Sequence, residues 1–283
     1  MITIFLKILL IIIGWTFGAL AETLKLGSTT SLCDTGVWDH VGRIFEKEYG
    51  IRFKAICVGS GMAFELARRG DVDLIAVHDP EEERRFLKEG YSIKRVPFAF
   101  NYFMIVGPKE DPAFINGLNP ILAMRKIYKQ GEKGTITWIS RGDESGTHRR
   151  EKKLWEKAGF DYAFINKKPW YIETGTGMAQ TLIMANQKKA YTLVDKATFL
   201  CFKNKTSFVP LVQKGKELVN VYSLVIINPM KYAINFIAAQ QFVEFIMSNP
   251  IQNFLDNYRA KEFGEFLFKS CVKNKNICHA RDF

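Results

Sequence analysis

The chain has 283 residues, a formal net charge of +11, 47% hydrophobic residues and 24% charged residues. This composition excludes a disordered or fibrous chain, because it supplies enough apolar surface for a buried core. Five cysteines are too few for a small disulfide-rich scaffold, and the length suits one large domain or two of ordinary size.

The first 21 residues have the features of a secretory signal peptide. Lys7 is the only charged residue, Ile8–Ile13 is continuously apolar, and the segment ends in the small-x-small triplet ALA. That ending is typical of a signal-peptidase site, so we expect residues 1–21 to be removed and the protein to be periplasmic. The alternative is an uncleaved anchor, since the whole segment nearly reaches the roughly 20 residues that span a bilayer.

Short apolar runs alternate with helical stretches after this leader. The sequence predicts strands at Leu24–Gly27, Arg52–Val58 and Asp73–Val77, and helices at Val37–Tyr49, Met62–Arg69 and from Pro80 to Glu89. Strands and helices in alternation predict a parallel sheet of an α/β protein.

The rest of the chain continues the α/β pattern. The sequence predicts strands at Phe98–Gly107, Thr135–Ile139, Ala190–Val194 and Val221–Ile227, and helices at Pro120–Tyr128, Thr147–Ala158, Met178–Asn186, Ala233–Ser248 and Ile251–Tyr258.

We interpret the chain as two α/β lobes. Residues 22–100 and 224–283 form lobe 1, and residues 101–223 form lobe 2, which is inserted into it. The long strands Phe98–Gly107 and Val221–Ile227 are the natural crossings between the lobes. Two crossings make a hinged cleft, which suits ligand capture.

The cysteines and the basic charge carry less information. Cys271 and Cys278 are close in sequence, and in an oxidising compartment we expect them to pair. Cys33, Cys57 and Cys201 are an odd remainder, so at least one is unpaired or buried. No Cys or His spacing indicates a metal site.

Lys and Arg are mixed with Glu along the chain, which indicates solvated helix faces and no nucleic-acid partner.

Four predicted strand-to-helix junctions are rich in Gly, Ser and Thr: residues 28–31, 59–61, 140–148 and 175–178. Ligands bind at the carboxyl ends of parallel strands, where helix N-termini offer free N–H groups to an anion. A single junction of this kind is an ordinary helix cap. Four of them, two in each lobe, indicate an oxyanion site in the cleft.

The segment SRGDESGTH, residues 140–148, is the most informative junction. Arg141 supplies a permanent cation with several donors, and we expect Asp143 to hold it and to cap the following helix. Ser145, Gly146 and Thr147 offer hydroxyl and N–H groups. The alternative is a surface arginine paired with an acid in a turn. No Walker motif is present in the sequence.

Six segments carry a family resemblance: STTSLCDTG, VGSGMAFELARRGDVDLIAVHDP, NYFMIVGPKEDP, SRGDESGTHRREKKLW, ETGTGMAQTLIMAN and AYTLVD. Together they resemble the tungstate-binding TupA-type proteins, the extracytoplasmic solute-binding components of tungstate ABC transporters. The resemblance implies a type II periplasmic binding protein fold, with two lobes, two hinge crossings and a central ligand cleft. It also implies a monomer that delivers tungstate to an ABC transporter permease and needs no cofactor.

The junctions and the resemblance together define the expected ligand contacts. Ser28 stands where the family has Thr, GTGM replaces GQGM, and residues 194–198 depart from the family pattern, so we assign no ligand role there. Cys33 is unusual for the family and is either free or paired with Cys57. The expected contacts are Ser28, Thr29, Thr30, Ser31, Ser60, Gly61, Arg141, Ser145, Gly146, Thr147, Gly177 and Met178, with Asp143 and His148 in support.

Other functions remain open at this point. Molybdate, sulfate and phosphate are alternative ligands, but protonated phosphate needs an acceptor, and Asp143 can serve only if it is not committed to Arg141. Ser145 and His148 are close enough in sequence to suggest an exported hydrolase. The Gly-x-Ser-x-Gly motif is missing, however, and we expect a binding protein in which His148 fixes the loop. An interaction module would leave the cleft donors unexplained.

Overall fold

The computed structural model of the chain describes residues 22–279, and the predicted signal peptide lies outside these residues. Within this range no helix has both the length and the apolar character to cross a membrane. The strands are β1 Thr23–Thr29, β2 Arg52–Val58, β3 Leu74–Val77, β4 Ser92–Gly107, β5 Trp138–Ser140, β6 Tyr171–Glu173, β7 Thr192–Asp195, β8 Val209–Val212, β9 Val219–Ile227 and β10 Lys269–Ser270.

The helices in the same range are α1 Thr30–Cys33, α2 Val37–Tyr49, α3 Ser60–Arg69, α4 Pro80–Lys88, α5 Pro120–Glu132, α6 Gly146–Lys157, α7 Tyr162–Ile165, α8 Met178–Gln187, α9 Lys196–Phe202, α10 Phe236–Met247, α11 Asn249–Asn257, α12 Ala260–Phe263 and α13 Lys275–Cys278. α2 and α3 end at Gly50 and Gly70, which adopt φ of 69° and 73°. Glycine takes this left-handed conformation without strain, which explains why both helices end there.

The main sheet is mixed, with the strand order β10-β4-β9-β3-β1-β2. β1 is parallel to β2 and to β3, as the alternation of strands and helices predicts. β9 is antiparallel to both β3 and β4. The carboxyl ends of β1, β2 and β3 therefore lie at one edge, and each is followed by a helix.

The long strand β4 belongs to two sheets. Its residues from Ser92 to Tyr102 pair with β9 in the main sheet, and Phe103–Gly107 pair with β7 and β8. β5 and β6 form a parallel pair, which is joined to the strand β7 region by the backbone of Tyr191. β4 thus runs from the main sheet into the second sheet, as expected of a crossing, whereas the pairs of β9 all lie in the main sheet. The division into lobe 1 and lobe 2 stays our proposal.

Apolar packing also links the lobes. The largest core cluster combines Trp38 and Phe242 of lobe 1 with Leu182 of α8 and Phe199 of α9. A second cluster lies within lobe 2 and contains Trp138, Trp155 and their neighbours. α8 and α9 are therefore held against lobe 1 by buried apolar surface, beside the polar cleft.

Two of the elements that begin earlier than predicted do so beside a proline. β4 begins at Ser92 rather than Phe98, and its register against β9 shifts beside Pro97 because proline has no N–H to donate. α11 begins at Asn249, so Pro250 lies in its first turn, a position that tolerates proline, rather than between two helices. Short elements such as α1, α9 and β8 were missed because so few residues carry no periodicity.

The described cysteines form two disulfides. Cys271 is bonded to Cys278, as predicted, and Cys33 is bonded to Cys57, which resolves the alternative left open above. Cys201 is unpaired and half-buried, and burial raises the pKa of its thiol to about 11. Among residues 22–279 no group of three or more metal-type ligands comes together.

Candidate functional site

The first junction is the end of β1 and the single-turn helix α1. The Ser28 hydroxyl is fully buried and accepts a hydrogen bond from Nε1 of Trp38 at 2.6 Å, so it faces α2. The side-chain oxygens of Thr29 and Ser31 lie 3.2 Å apart. Oγ1 of Thr30 is buried and has no partner. Of the expected contacts here, Thr30 is therefore the side chain whose oxygen has no hydrogen-bond partner at all.

The second junction contacts lobe 2 directly. Ser60 begins α3, and its Oγ accepts a hydrogen bond of 3.2 Å from the backbone N–H of Gly146, the first residue of α6. Added Cβ atoms on Gly59 and Gly61 would lie 3.9 and 4.0 Å from atoms of residues 143–144. The two lobes thus meet at the N-termini of α3 and α6, with room for a Cβ atom at Gly59 and at Gly61.

Arg141 is the charged residue at this meeting point. It is 3% exposed, and Nη2 donates to Oδ2 of Asp143 at 2.5 Å. Oδ1 of Asp143 accepts from the backbone N–H of Ser145 at 3.2 Å. The Nε–H of Arg141 is buried without a partner. Asp143 therefore holds one edge of the Arg141 guanidinium, and the Nε–H stays free to donate to a ligand.

The helix α6 is capped by Ser145, not by Asp143 as the sequence argument expected. Ser145 has extended backbone and its Oγ accepts from the N–H of His148 at 3.3 Å, while Asp143 is occupied by Arg141. The Ser145 hydroxyl proton stays available for donation. Thr147, in the first turn of α6, has a buried Oγ1 with no partner.

The His148 ring holds the loop that precedes α6. Its Nδ1 accepts from the N–H of Glu144 at 3.1 Å, and its Nε2 lies 2.6 Å from the hydroxyl of Tyr162. Burial lowers the pKa of His148, and the charge of Lys152 adds to this. Because Nδ1 accepts from a backbone N–H, the ring is neutral, with Nε2 as the donor to Tyr162.

The fourth junction, residues 175–178, lies close to Thr30 and to Arg141. An added Cβ on Gly177 would lie 4.0 Å from Oγ1 of Thr30, and the N–H of Gly175 donates to the carbonyl of Arg141 at 2.8 Å. Met178 is fully buried and its side chain belongs to the largest core cluster. Only the backbone of Met178 is therefore placed to face the cleft.

Two polar residues beside Arg141, His78 and Asp195, are not among the contacts that the sequence predicts. His78 directly follows β3, and burial and the charge of Arg141 lower its pKa to about 4. Asp195 ends β7 and accepts hydrogen bonds from N and Oγ1 of Thr198, at 3.0 and 2.6 Å. Burial raises the pKa of Asp195, although Arg141 opposes the shift. Each is a polar residue at the carboxyl end of a buried apolar strand, and that is the signal that could have identified it.

The arrangement suits a ligand that offers acceptors only. Of six buried side-chain atoms without a partner among the described residues, three lie here: Thr30 Oγ1, Arg141 Nε and Thr147 Oγ1. An unpartnered buried polar group costs about 1–3 kcal/mol, so three together indicate a binding site. The first turns of α3, α6 and α8 add N–H groups and partial positive charge.

Comparisons with known proteins agree with the fold. The family model of the PBP superfamily domain matches residues 19–250. A tungstate-binding protein TupA from Peptoclostridium acidaminophilum is 34% identical over 82% of this chain and 80% of its own length. The solved tungstate binding protein TupA from Desulfovibrio alaskensis G20 has a TM-score of 0.74 and 32% identity, over 88% of this chain and 99% of its own. The structure described as the tungstate ABC transporter from Geobacter sulfurreducens has a TM-score of 0.75 and 36% identity, over 84% and 99%.

Proposed function

Because this chain belongs to the PBP superfamily and to the family of its TupA relatives, we propose that it captures tungstate outside the cytoplasmic membrane. It delivers the anion, as a monomer, to the permease of an ABC transporter. The names of the relatives place tungstate first among the possible oxyanions.

The single observation that carries the proposal is the set of free donors contributed by both lobes. Thr30 comes from lobe 1, and Arg141 and Thr147 come from lobe 2; each has a buried donor without a partner. Tungstate at neutral pH is a dianion whose oxygens only accept hydrogen bonds. The charge of Arg141 offsets one of its negative charges, and contacts from both lobes couple binding to closure of the cleft.

The remaining expected contacts divide into two groups. One group contributes hydroxyl or backbone N–H groups around the free donors: Thr29, Ser31, Ser60, Gly61, Ser145, Gly177 and the N–H of Met178. The N–H of Gly146 already donates to Ser60 Oγ, so Gly146 acts by joining the two lobes. The Ser28 side chain supports this junction through Trp38 instead of contacting the anion.

The positions of the carboxylates favour a fully deprotonated anion over monoprotonated phosphate. Phosphate needs an acceptor for its own proton. Asp143 is committed to Arg141 and to the N–H of Ser145, and Asp195 is committed to Thr198. The donor set does not distinguish tungstate from molybdate, which has nearly the same size and charge.

The geometry of Ser145 and His148 does not support a hydrolase. Both ring nitrogens of His148 are hydrogen-bonded, to Glu144 and to Tyr162, and the Ser145 hydroxyl bonds to backbone instead of to the ring. A serine nucleophile needs the imidazole as its base, and this imidazole is occupied elsewhere.

The test is calorimetric titration of the purified protein with tungstate, molybdate, sulfate and phosphate, beside an Arg141→Gln variant. We expect one-to-one tungstate binding that weakens by about a hundredfold or more in the variant, because removing one partner of a buried charge pair costs about 3–5 kcal/mol. Arg52→Gln is the matched control, since Arg52 is exposed at the opposite end of β2 from the cleft. Failure to bind tungstate, or an Arg141→Gln variant that binds like the wild type, would overturn the proposal.

A further inference from the structure

The Cys33–Cys57 disulfide joins two of the junctions that form the anion site. Cys33 is the last residue of α1, the helix that contains Thr30 and Ser31. Cys57 is the last residue but one of β2, and Ser60 follows it closely in sequence. One covalent link therefore connects both of the lobe 1 segments that face Arg141.

Local structure at these two segments is weak without the link. α1 is a single turn of four residues, and such a short helix is not stable by itself. β2 is at the end of the strand order and pairs with β1 alone in the described sheet. The chain then passes through Gly59, which adds backbone freedom. The bridge therefore adds a covalent restraint to the core packing of Leu32 in α1 and of Phe53 in β2.

The bridge is reachable from solvent although its neighbours in sequence are buried. Cys57 is exposed and Cys33 is half-buried, whereas Ser31 and Ser60 are buried. Both cysteines line an open cavity of about 580 Å³ together with Trp38 and Phe53. A small reductant can therefore approach the disulfide from the outer face of lobe 1, without entering the cleft.

We propose that Cys33 and Cys57 are positioning residues of the anion site: their bridge holds Thr30, Ser31 and Ser60 in binding geometry before the anion arrives, and its reduction weakens anion binding. The proposal rests on the function proposed above. In the reductive step, a dithiol supplies two electrons and two protons, the S–S bond breaks into two thiols, and the dithiol closes to a cyclic disulfide. Preorganisation of this kind increases affinity by lowering the ordering cost of binding.

The first experiment is independent of the ligand. Amide hydrogen exchange is compared in the ligand-free wild type, a Cys33→Ser/Cys57→Ser variant and a Cys271→Ser/Cys278→Ser variant. The second variant is the matched control, because it removes the disulfide that ties α13 near the C-terminus. We expect residues 29–34 and 58–62 to exchange faster in the first variant only. Unchanged exchange in these segments would overturn the proposal, whether or not the protein binds tungstate.

The second experiment measures the dissociation constant for tungstate, well below the melting temperature of each variant. We expect about a tenfold weakening in Cys33→Ser/Cys57→Ser, which corresponds to ordering one or two side chains at about 1 kcal/mol each. The control should bind like the wild type. A variant with a lower melting temperature and unchanged affinity would show a merely structural bridge and would overturn the proposal.

A reductant titration covers the case in which the serine variant does not fold. In Cys271→Ser/Cys278→Ser the Cys33–Cys57 bridge is the remaining disulfide among the described cysteines, so dithiothreitol should weaken tungstate binding about tenfold and reoxidation should restore it. Cys201 is a poor exchange partner because burial raises the pKa of its thiol to about 11. Affinity that does not respond to dithiothreitol would contradict the proposal. A wild type that binds no tungstate would instead contradict the proposed function, and the exchange result would still decide the bridge.

Discussion

Replacing Gly146 by alanine should block closure of the cleft. An added Cβ would lie 2.9 Å from Cε1 of His78, 3.0 Å from its Nδ1 and 3.0 Å from its carbonyl oxygen. The ring cannot move aside easily, because it is buried and its Nδ1 is 2.9 Å from Oδ1 of Asn220. The backbone oxygen is fixed by the end of β3. The lobes must therefore separate locally to accept the methyl group.

The expected loss of tungstate affinity in Gly146→Ala is the sum of two free-energy costs. Overpacking of a tight contact costs about 1–3 kcal/mol. Displacement also breaks the hydrogen bond from Gly146 N to Ser60 Oγ, which contributes about 1 kcal/mol. Together they predict tungstate binding weaker by roughly 30-fold to 1,000-fold. With the lobes apart the methyl group has no clash. Gly146 is the first residue of α6, so only part of the roughly 1 kcal/mol by which a helix interior favours alanine over glycine applies there. Stability against unfolding should therefore fall little or rise.

The assay is titration with tungstate together with urea unfolding of the ligand-free protein. Gly59→Ala is the matched control, since Gly59 lies just before α3 across the cleft, its φ of −66° suits alanine, and its nearest new contact is 3.9 Å away. We expect the control to bind like the wild type. The reasoning is refuted if Gly146→Ala keeps wild-type affinity, or if both variants lose affinity equally.

Two further changes test charged groups around the site. Burial raises the pKa of Glu151 from 4.5 to about 7, although four donors surround its carboxylate. Between these values the folded protein keeps a proton that the unfolded chain has lost, so this contribution to stability falls as pH rises, by up to about 3 kcal/mol. Glu151→Gln lacks this titration. The free energy of unfolding of the variant minus that of the wild type should therefore rise as the pH is raised from 4.5 to about 7. A difference that does not change with pH would contradict this. Arg149 Nη1 is 2.6 Å from Oδ2 of Asp79 across the lobes. Arg149→Ala should weaken tungstate binding about fivefold at low salt and less at high salt, as titrations at two NaCl concentrations would show. Lys157→Ala, exposed at the other end of α6, should bind like the wild type, and equal losses in the two variants would refute the interlobe role.

Local sequence signals were sufficient for much of the fold. β1, β2 and β3 with the helices between them followed from apolar runs and from Gly50 and Gly70, because those signals act within a few residues. The start of β4 was missed because Pro97 reads as a break, whereas the sheet absorbs it through a register shift. α1 is too short to show a period, and its contacts are tertiary: Leu32 is buried in the core and Cys33 is bonded to Cys57.

The site was predictable only in part, for a physical reason. Arg141 and Asp143 lie in one short loop, so their pairing follows from local geometry. The direction of the Ser28 side chain depends on where α2 places Trp38, and no local pattern contains that contact. His78 and Asn220 are 142 residues apart in sequence and meet only through the tertiary structure.

The central claim is that the free donors of both lobes bind one oxyanion between them. The most direct test is a crystal structure of the protein with tungstate, in which anomalous scattering locates the tungsten atom. The account predicts one tungsten between the lobes, with oxygens that accept hydrogen bonds from Thr30 Oγ1, Arg141 Nε and Thr147 Oγ1. Tungsten bound elsewhere, or bound between the lobes without contact to Arg141, would contradict it.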